Sequence, residues 1–127
     1  MDTNKMPFLY KELSYNILGA AMEVHNELGC GFLEKVYENA LMIAFKEKGI
    51  KAKQQYPIKV TYHEKVVGEY FADIFADEEI ILELKTVEKI TKINKAQTLN
   101  YLKATGVKVA LIINFKNPKL EYERLVL

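Results

Sequence analysis

The chain has 127 residues, 50% of them hydrophobic and 28% charged, with a formal net charge of +1. That length and composition suit one compact globular domain, 1–127, with its own core, and the near-zero total charge does not by itself point to a polyanionic partner. A single cysteine, Cys30, excludes an internal disulfide and a thiolate zinc or iron–sulfur centre held by this chain alone.

The opening stretch MDTNKMPFLYKELSYNI has acids early and no continuous apolar core, so no signal peptide is expected. No apolar run approaches the roughly 18–20 residues of a membrane span, and a cytoplasmic location is expected. Ile17, Leu18, Ala21, Val24, His25 and Leu28 recur at helical spacing and predict a helix over 10–28, closed by Gly29 or Gly31. A second helix is predicted over 33–48, with Val36, Tyr37, Ala40, Leu41, Ala44 and Phe45 on its inner face and Gly49 as its stop.

From Ile50 the period shortens to two. IKAKQQYPIKVTY predicts a strand, and Pro57 places it at a sheet edge or a bulge. VVGEYFADIFA and EIILELK predict the next two strands. TVEKITKINKAQTLNYLKATG returns to helical spacing through Val87, Ile90, Ile93, Ala96, Leu99 or Asn100, and Leu102, with Thr86 as N-cap and Gly106 as stop. VKVALIINF predicts a strand buried on both faces, and LEYERLVL a final alternating strand. The expected order is α-α-β-β-β-α-β-β in one domain.

Two acids interrupt the apolar pattern of the central hairpin FADIFADEEIILELK. Alternation puts Phe71, Asp73 and Phe75 on one face, and Ile81, Glu83 and Lys85 on one face. A three-residue turn at Asp77–Glu79 would set Asp73 directly opposite Glu83, where like charges about 5 Å apart repel; a two-residue turn would put them on opposite faces. Such a pair is tolerated if it shares a proton or holds a hard divalent cation between its oxygens. Lys85, two residues beyond Glu83, favours the cation, because an ammonium there can orient attacking water or stabilise charge on a phosphoryl transition state. The plain alternative is an ordinary ion pair on an exposed sheet.

Other residues extend the pattern. Gln97 and Tyr101 share a helix face four apart and can hydrogen-bond a substrate, or can simply line a half-buried surface. Glu34 opens the second helix, where a carboxylate also favours the helix N-terminus, and Tyr37 follows one turn on with a core-packing alternative. His25, on an apolar face, reads as a hydrogen-bonded structural histidine before a catalytic base, and Cys30 as a small loop residue. Between Lys85 and Lys108 there are six lysines against one acid, Glu88; Lys89, Lys92 and Lys95 could hold phosphates or form a solvated face.

Taken together, these residues resemble a known group. Asp73 followed by Glu83-Leu84-Lys85 is similar to the D…(D/E)-x-K signature of the PD-(D/E)XK nuclease superfamily, and Gln97 to Tyr101 resembles the Q-x-x-x-Y element of its RecB-like and lambda-exonuclease-like branch. GFLEKVY, with Gly31, Glu34 and Tyr37, is similar to the motif of the GxxExxY family, which the chain resembles along nearly its whole length. Ala72 stands where the superfamily often has proline. The resemblance implies a restriction-endonuclease-like α/β core, a mixed sheet flanked by helices. It also implies Mg²⁺ or Mn²⁺ held by Asp73, Glu83 and the Leu84 carbonyl, with Glu34 reaching the metal shell through water. Lys85 would position or activate the attacking water, and Gln97 and Tyr101 would orient phosphate or the acids. The expected activity is metal-dependent cleavage of DNA, more readily than RNA, with a homodimer as one way for so small a domain to grip duplex. Two rivals stand beside it: a nuclease fold that binds nucleic acid or a protein partner without turnover, and a structural domain whose hairpin acids face solvent.

Overall fold

A computed structural model describes residues 10–127. The expectation about a signal peptide lies largely outside the described residues. Helices α1 (Lys11–Leu28) and α2 (Glu34–Glu47) precede strands β1 (Ala52–Tyr62), β2 (Lys65–Ala76) and β3 (Ile80–Lys85). Helix α3 (Lys92–Thr105) and strands β4 (Val109–Asn114) and β5 (Glu121–Val126) complete the order α-α-β-β-β-α-β-β. The five strands form one mixed sheet in the order β1-β2-β3-β4-β5. β3 and β4 are parallel and every other pair is antiparallel. A parallel pair cannot be closed by a tight turn, and α3 is the crossover that joins it.

Alternation sorts the strand residues into two cores. Ile74, Ile80, Leu82, Leu84, Val109, Leu111 and Ile113 pack with α1 and α2 on one face of the sheet. Ile58, Phe75, Ile81 and Ala110 pack with Tyr101 and Leu102 of α3 on the other. All six residues of β4 are buried, as expected for a strand covered on both faces, and Pro57 lies in the edge strand β1.

One departure from strict alternation positions the site. Ala72 packs in the α3 cluster, whereas Ile74, two residues on, packs against α1 and α2. Strict alternation, which would put Phe71, Asp73 and Phe75 on one face and Ala72 and Ile74 on the other, is therefore corrected: Ala72 and Phe75 share the α3 side and Ile74 does not. The neighbouring strand switches at the same level: Ala52 lies against the α1/α2 cluster, and Tyr56 and Ile58 belong to the α3 side. The pairing runs Gln54↔Ile74 and Tyr56↔Ala72 and skips the level of Gln55 and Asp73. Gln55 has φ +52, a costly conformation for a non-glycine strand residue. The β1–β2 ribbon thus rolls over at the level of Asp73.

The third helix is shorter than expected. It begins at Lys92 with Thr91 as N-cap, not at Thr86: Asn94 N–H donates to Thr91 Oγ1 at 3.1 Å and Thr91 N–H donates to Asn94 Oδ1 at 3.0 Å, a closed capping box. Residues 86–91 stay outside the helix because the sheet holds their backbone. Asn114, fully buried, accepts from Val87 N–H at 3.1 Å and donates to the Val87 carbonyl at 2.7 Å. Ile90 N–H donates to Glu121 Oε1 at 3.2 Å. The expected inner face of this helix changes accordingly. Ile93 is 80% exposed, and Thr98, Tyr101 and Leu102 are the buried positions.

Candidate active site

The hairpin joining β2 to β3 turns through Asp77, Glu78 and Glu79, with positive φ at the first two and Glu79 N–H donating to the Ala76 carbonyl at 3.0 Å. Ala76↔Ile80, Phe75↔Ile81 and Ile74↔Leu82 are paired, the register of a three-residue turn. Extended by one level, it faces Asp73 with Glu83. The ladder stops before that level, and side chains bridge the gap. Asp73 N–H donates to Glu83 Oε1 at 3.2 Å, and Leu84 N–H donates to Asp73 Oδ2 at 2.7 Å. The N–H and C=O of a strand residue leave on the same edge, so the Leu84 carbonyl also faces the Asp73 side, where the β2 ladder has ended.

Both carboxyls are held above the usual carboxylate range. Burial is the main cause for Glu83, 8% exposed, and the neighbouring Asp73 adds to it; the Asp73 N–H and the Lys85 ammonium pull the other way, leaving the group pushed up to about 8. Asp73 is raised first by burial; the Leu84 N–H opposes this, and the charges of Glu38 and Glu34 add to it. Lys85 lowers both acids, yet among the described residues it forms no ion pair within bridging distance of either. Its ammonium stays available.

Glu34 is the first residue of α2, and its Oε2 accepts from Thr86 N–H at 3.2 Å. That bond ties the start of α2 to the residue after Lys85 and brings the Glu34 charge within reach of both acids. Across the site, Gln97 Nε2 donates to the Tyr101 hydroxyl at 3.1 Å. The Tyr101 pKa is raised, first by burial and then by the charges of Glu83, Tyr70 and Asp73.

Other candidates fall elsewhere. Tyr37 is a core residue: it stacks on Phe115 at 4.5 Å and its hydroxyl donates to the Gly29 carbonyl at 2.6 Å. Gly31 adopts φ +105 in the same loop. His25 is buried beside Phe115, with Cys30 Sγ 3.7 Å from its Nε2. Of the three lysines expected on one helix, Lys89 lies in the segment before α3, because that segment is bound to the sheet, and Lys92 is the first helical residue. Lys95 pairs with Glu123 at 3.3 Å.

Glu38 was not singled out by sequence and belongs to the site. It is 3% exposed and accepts from Lys35 Nζ at 2.9 Å, Gln54 Nε2 at 2.7 Å and Gln55 Nε2 at 3.0 Å. Consecutive strand residues normally point apart. The positive φ of Gln55 accompanies the convergence of both amides on one carboxylate. Its only signal in the sequence is its place four residues after Glu34, on the same face of α2.

The donor set fits a hard divalent cation. Asp73, Glu83 and the Leu84 carbonyl offer oxygen only, and the mutual repulsion of two largely buried carboxylates is what such an ion offsets. Among the described residues no group of three His, Cys, Asp or Glu side chains that could hold a metal ion is found.

A model of the PD-(D/E)XK nuclease superfamily matches residues 11–125. The chain belongs to that superfamily. Its members are generally nucleases that hydrolyse nucleic acid and typically use divalent metal ions, and the mixed sheet flanked by three helices is the α/β, restriction-endonuclease-like fold expected of it. No curated protein matches the chain. Among solved structures, a crystal structure of SSO0001 superposes with a TM-score of 0.54 at 14% identity, over 72% of this chain and 48% of that one. The similarity is one of fold, and it spans about half the length of that protein. Among the described residues no helix is long and apolar enough to cross a membrane.

Proposed function

We propose that this chain is a Mg²⁺- or Mn²⁺-dependent nuclease domain that hydrolyses phosphodiester bonds of DNA, of the GxxExxY group within the RecB-like branch. The observation that carries this reading is the opened end of the β2–β3 ladder, where Asp73 and Glu83 face each other beside the available ammonium of Lys85. Asp73, Glu83 and the Leu84 carbonyl would hold the cation, with Glu34 reaching its shell through water. Once bound, the ion supplies positive charge to the phosphoryl oxygens and acidifies the attacking water.

The protein's own groups do the rest. Lys85 donates hydrogen bonds that orient the water for in-line attack and stabilise negative charge as the new P–O bond forms and the ester P–O bond breaks. Gln97 and the Tyr101 hydroxyl, already bonded to each other, hold a non-bridging oxygen from the α3 side. Glu38, through Gln54 and Gln55, keeps the β1 roll-over that sets the level of Asp73, and acts by positioning. Lys89 and Lys92, both exposed, hold flanking phosphates.

Incubation of single- and double-stranded DNA with Mg²⁺ or Mn²⁺ tests the reading. Cleavage by the native chain is expected to fall at least about 100-fold in Glu83→Ala, the order of effect of removing one group that stabilises transition-state charge. Equal cleavage by both proteins means a contaminating nuclease and overturns the assignment. Calorimetry separates a silent nuclease fold from an active one: Mn²⁺ binding that Asp73→Asn abolishes is expected of a working site.

A further inference from the structure

A cleft of about 590 Å³ lies between α3 and the far half of the β1–β2 ribbon. Gln97 and Tyr101, both candidate site residues, line it, so the cleft adjoins the candidate active site on the α3 side. Its volume lies within the about 300–1,000 Å³ common for ligand sites. Lys59 of β1 and Lys103 of α3 line it, both exposed, and no acidic residue does. Glu69, the cross-strand partner of Lys59, is not part of the lining.

An aromatic platform is built into this cleft. Tyr70 is 45% exposed, and its ring centroid lies 5.6 Å from that of Tyr101. It lies over Gly68: a Cβ added at that glycine would meet Tyr70 Cε2 at 3.3 Å, closer than ordinary van der Waals contact. The missing side chain therefore gives the ring its seat. An exposed aromatic ring in a cleft lined by two cations has the two elements that recognise a nucleic-acid strand: base stacking and backbone neutralisation. A base inside a duplex has both faces covered by its neighbours, so an unpaired base offers Tyr70 a face that a duplex presents only at its ends.

We propose that this cleft binds an unpaired nucleic-acid strand that leads into the carboxylate centre, with Tyr70 stacking on a base and Lys59 and Lys103 contacting its phosphates. The substrate class is then nucleic acid with a single-stranded segment beside the scissile phosphate. This inference rests on the nuclease reading for its direction, and its test does not need turnover.

Fluorescence anisotropy with a labelled single-stranded DNA and a blunt duplex of the same sequence, in EDTA to stop cleavage, measures binding to the full chain. The single strand is expected to bind at least about tenfold tighter than the duplex. Tyr70→Ala should weaken single-strand binding about 5- to 100-fold, the range for removing one base–aromatic stack, and Tyr70→Phe should retain it. The double variant Lys59→Ala/Lys103→Ala should flatten the slope of log K against log salt by about 1.4, the value for two single-strand phosphates no longer neutralised. Circular dichroism checks that each variant folds, which the exposure of these side chains favours.

Equal affinity for duplex, no binding at any salt, or a Tyr70→Ala chain within about twofold of native overturns the proposal. The two readings fail separately. A chain that binds the strand through Tyr70 and cuts nothing keeps the cleft and loses the nuclease. A chain that cuts, but whose single-strand affinity ignores Tyr70, keeps the nuclease and loses the cleft.

Discussion

At Glu83 the fold holds a carboxyl where its charged form is disfavoured, and that has a pH signature. Its pKa rises from an ordinary 4.5 to about 8 on folding. Between those values the folded chain binds more protons than the unfolded one, so metal-free stability falls as pH rises through the window and levels off above about 8. Thermal unfolding in EDTA should therefore show a Tm that drops by several degrees from pH 5 to pH 9, with Glu83→Gln flattening the trend. Added Mn²⁺ should bind more tightly as pH rises across the same range, because its ligands must be deprotonated. A Tm that climbs steadily with pH would contradict the buried pair. Glu38 makes a second residue-scale prediction. Removing its buried carboxylate takes the acceptor from Gln55 Nε2 and one of two acceptors from Gln54 Nε2, which keeps Asn39 Oδ1 at 2.9 Å. Both glutamines are exposed, so Glu38→Ala should cost about 1 kcal/mol in urea unfolding. Glu38→Gln should recover part of that stability, because it restores an acceptor but not the charge.

Between elements, short polar ties set the site. Glu34 fastens the start of α2 to Thr86, just beyond the end of β3, and Asn114 fastens the segment after β3 to the sheet. Asn114 is opposite Lys85 in the parallel ladder and fully buried, and it also donates to Glu121 Oε1 at 2.8 Å. Asn114→Ala leaves the Val87 N–H and carbonyl and the Glu121 oxygen without this partner. Destabilisation by about 2–3 kcal/mol in equilibrium unfolding is expected, together with weaker Mn²⁺ binding as the end of β3 loosens. Undiminished stability would mean that water satisfies those groups equally well. The helical pattern over 86–106 is legible in the sequence, but the point where the helix starts is not. Thr86 and Thr91 are both acceptable N-caps by residue type, and the choice is made by Asn114 and Glu121, which lie far along the chain.

For the whole molecule, nucleic-acid affinity should depend on charge placement and not on net charge, which is only +1. Removing one lysine that neutralises a phosphate should flatten the salt dependence by about 0.7 for single strands and about 0.9 for duplex. Lys89→Ala and Lys92→Ala are each expected to show that change in a salt titration. Lys95→Ala should show less, because its ammonium is already paired with Glu123. Equal slopes for all three variants would move the phosphate path elsewhere. The same fold that leaves the Tyr70 cleft open on the α3 side buries Tyr37 and His25 on the opposite side, with Phe115.

The sequence by itself determined the element order and the two-sided burial of β4, and it narrowed the β2–β3 hairpin to a turn of two or three residues, of which the three-residue turn seen in the pairing sets Asp73 toward Glu83. Those follow from period, turn length and alternation, which are local rules. It also carried the superfamily resemblance, since D…E-x-K survives as a linear pattern. Only the tertiary structure decided the rest. The roll-over at Gln55 and Asp73, the convergence of Gln54 and Gln55 on Glu38, the late start of α3 and the cleft under Tyr70 depend on interactions between residues distant in the chain. Their energies come from burial and from polar groups seeking partners across elements, and local periodicity does not encode them.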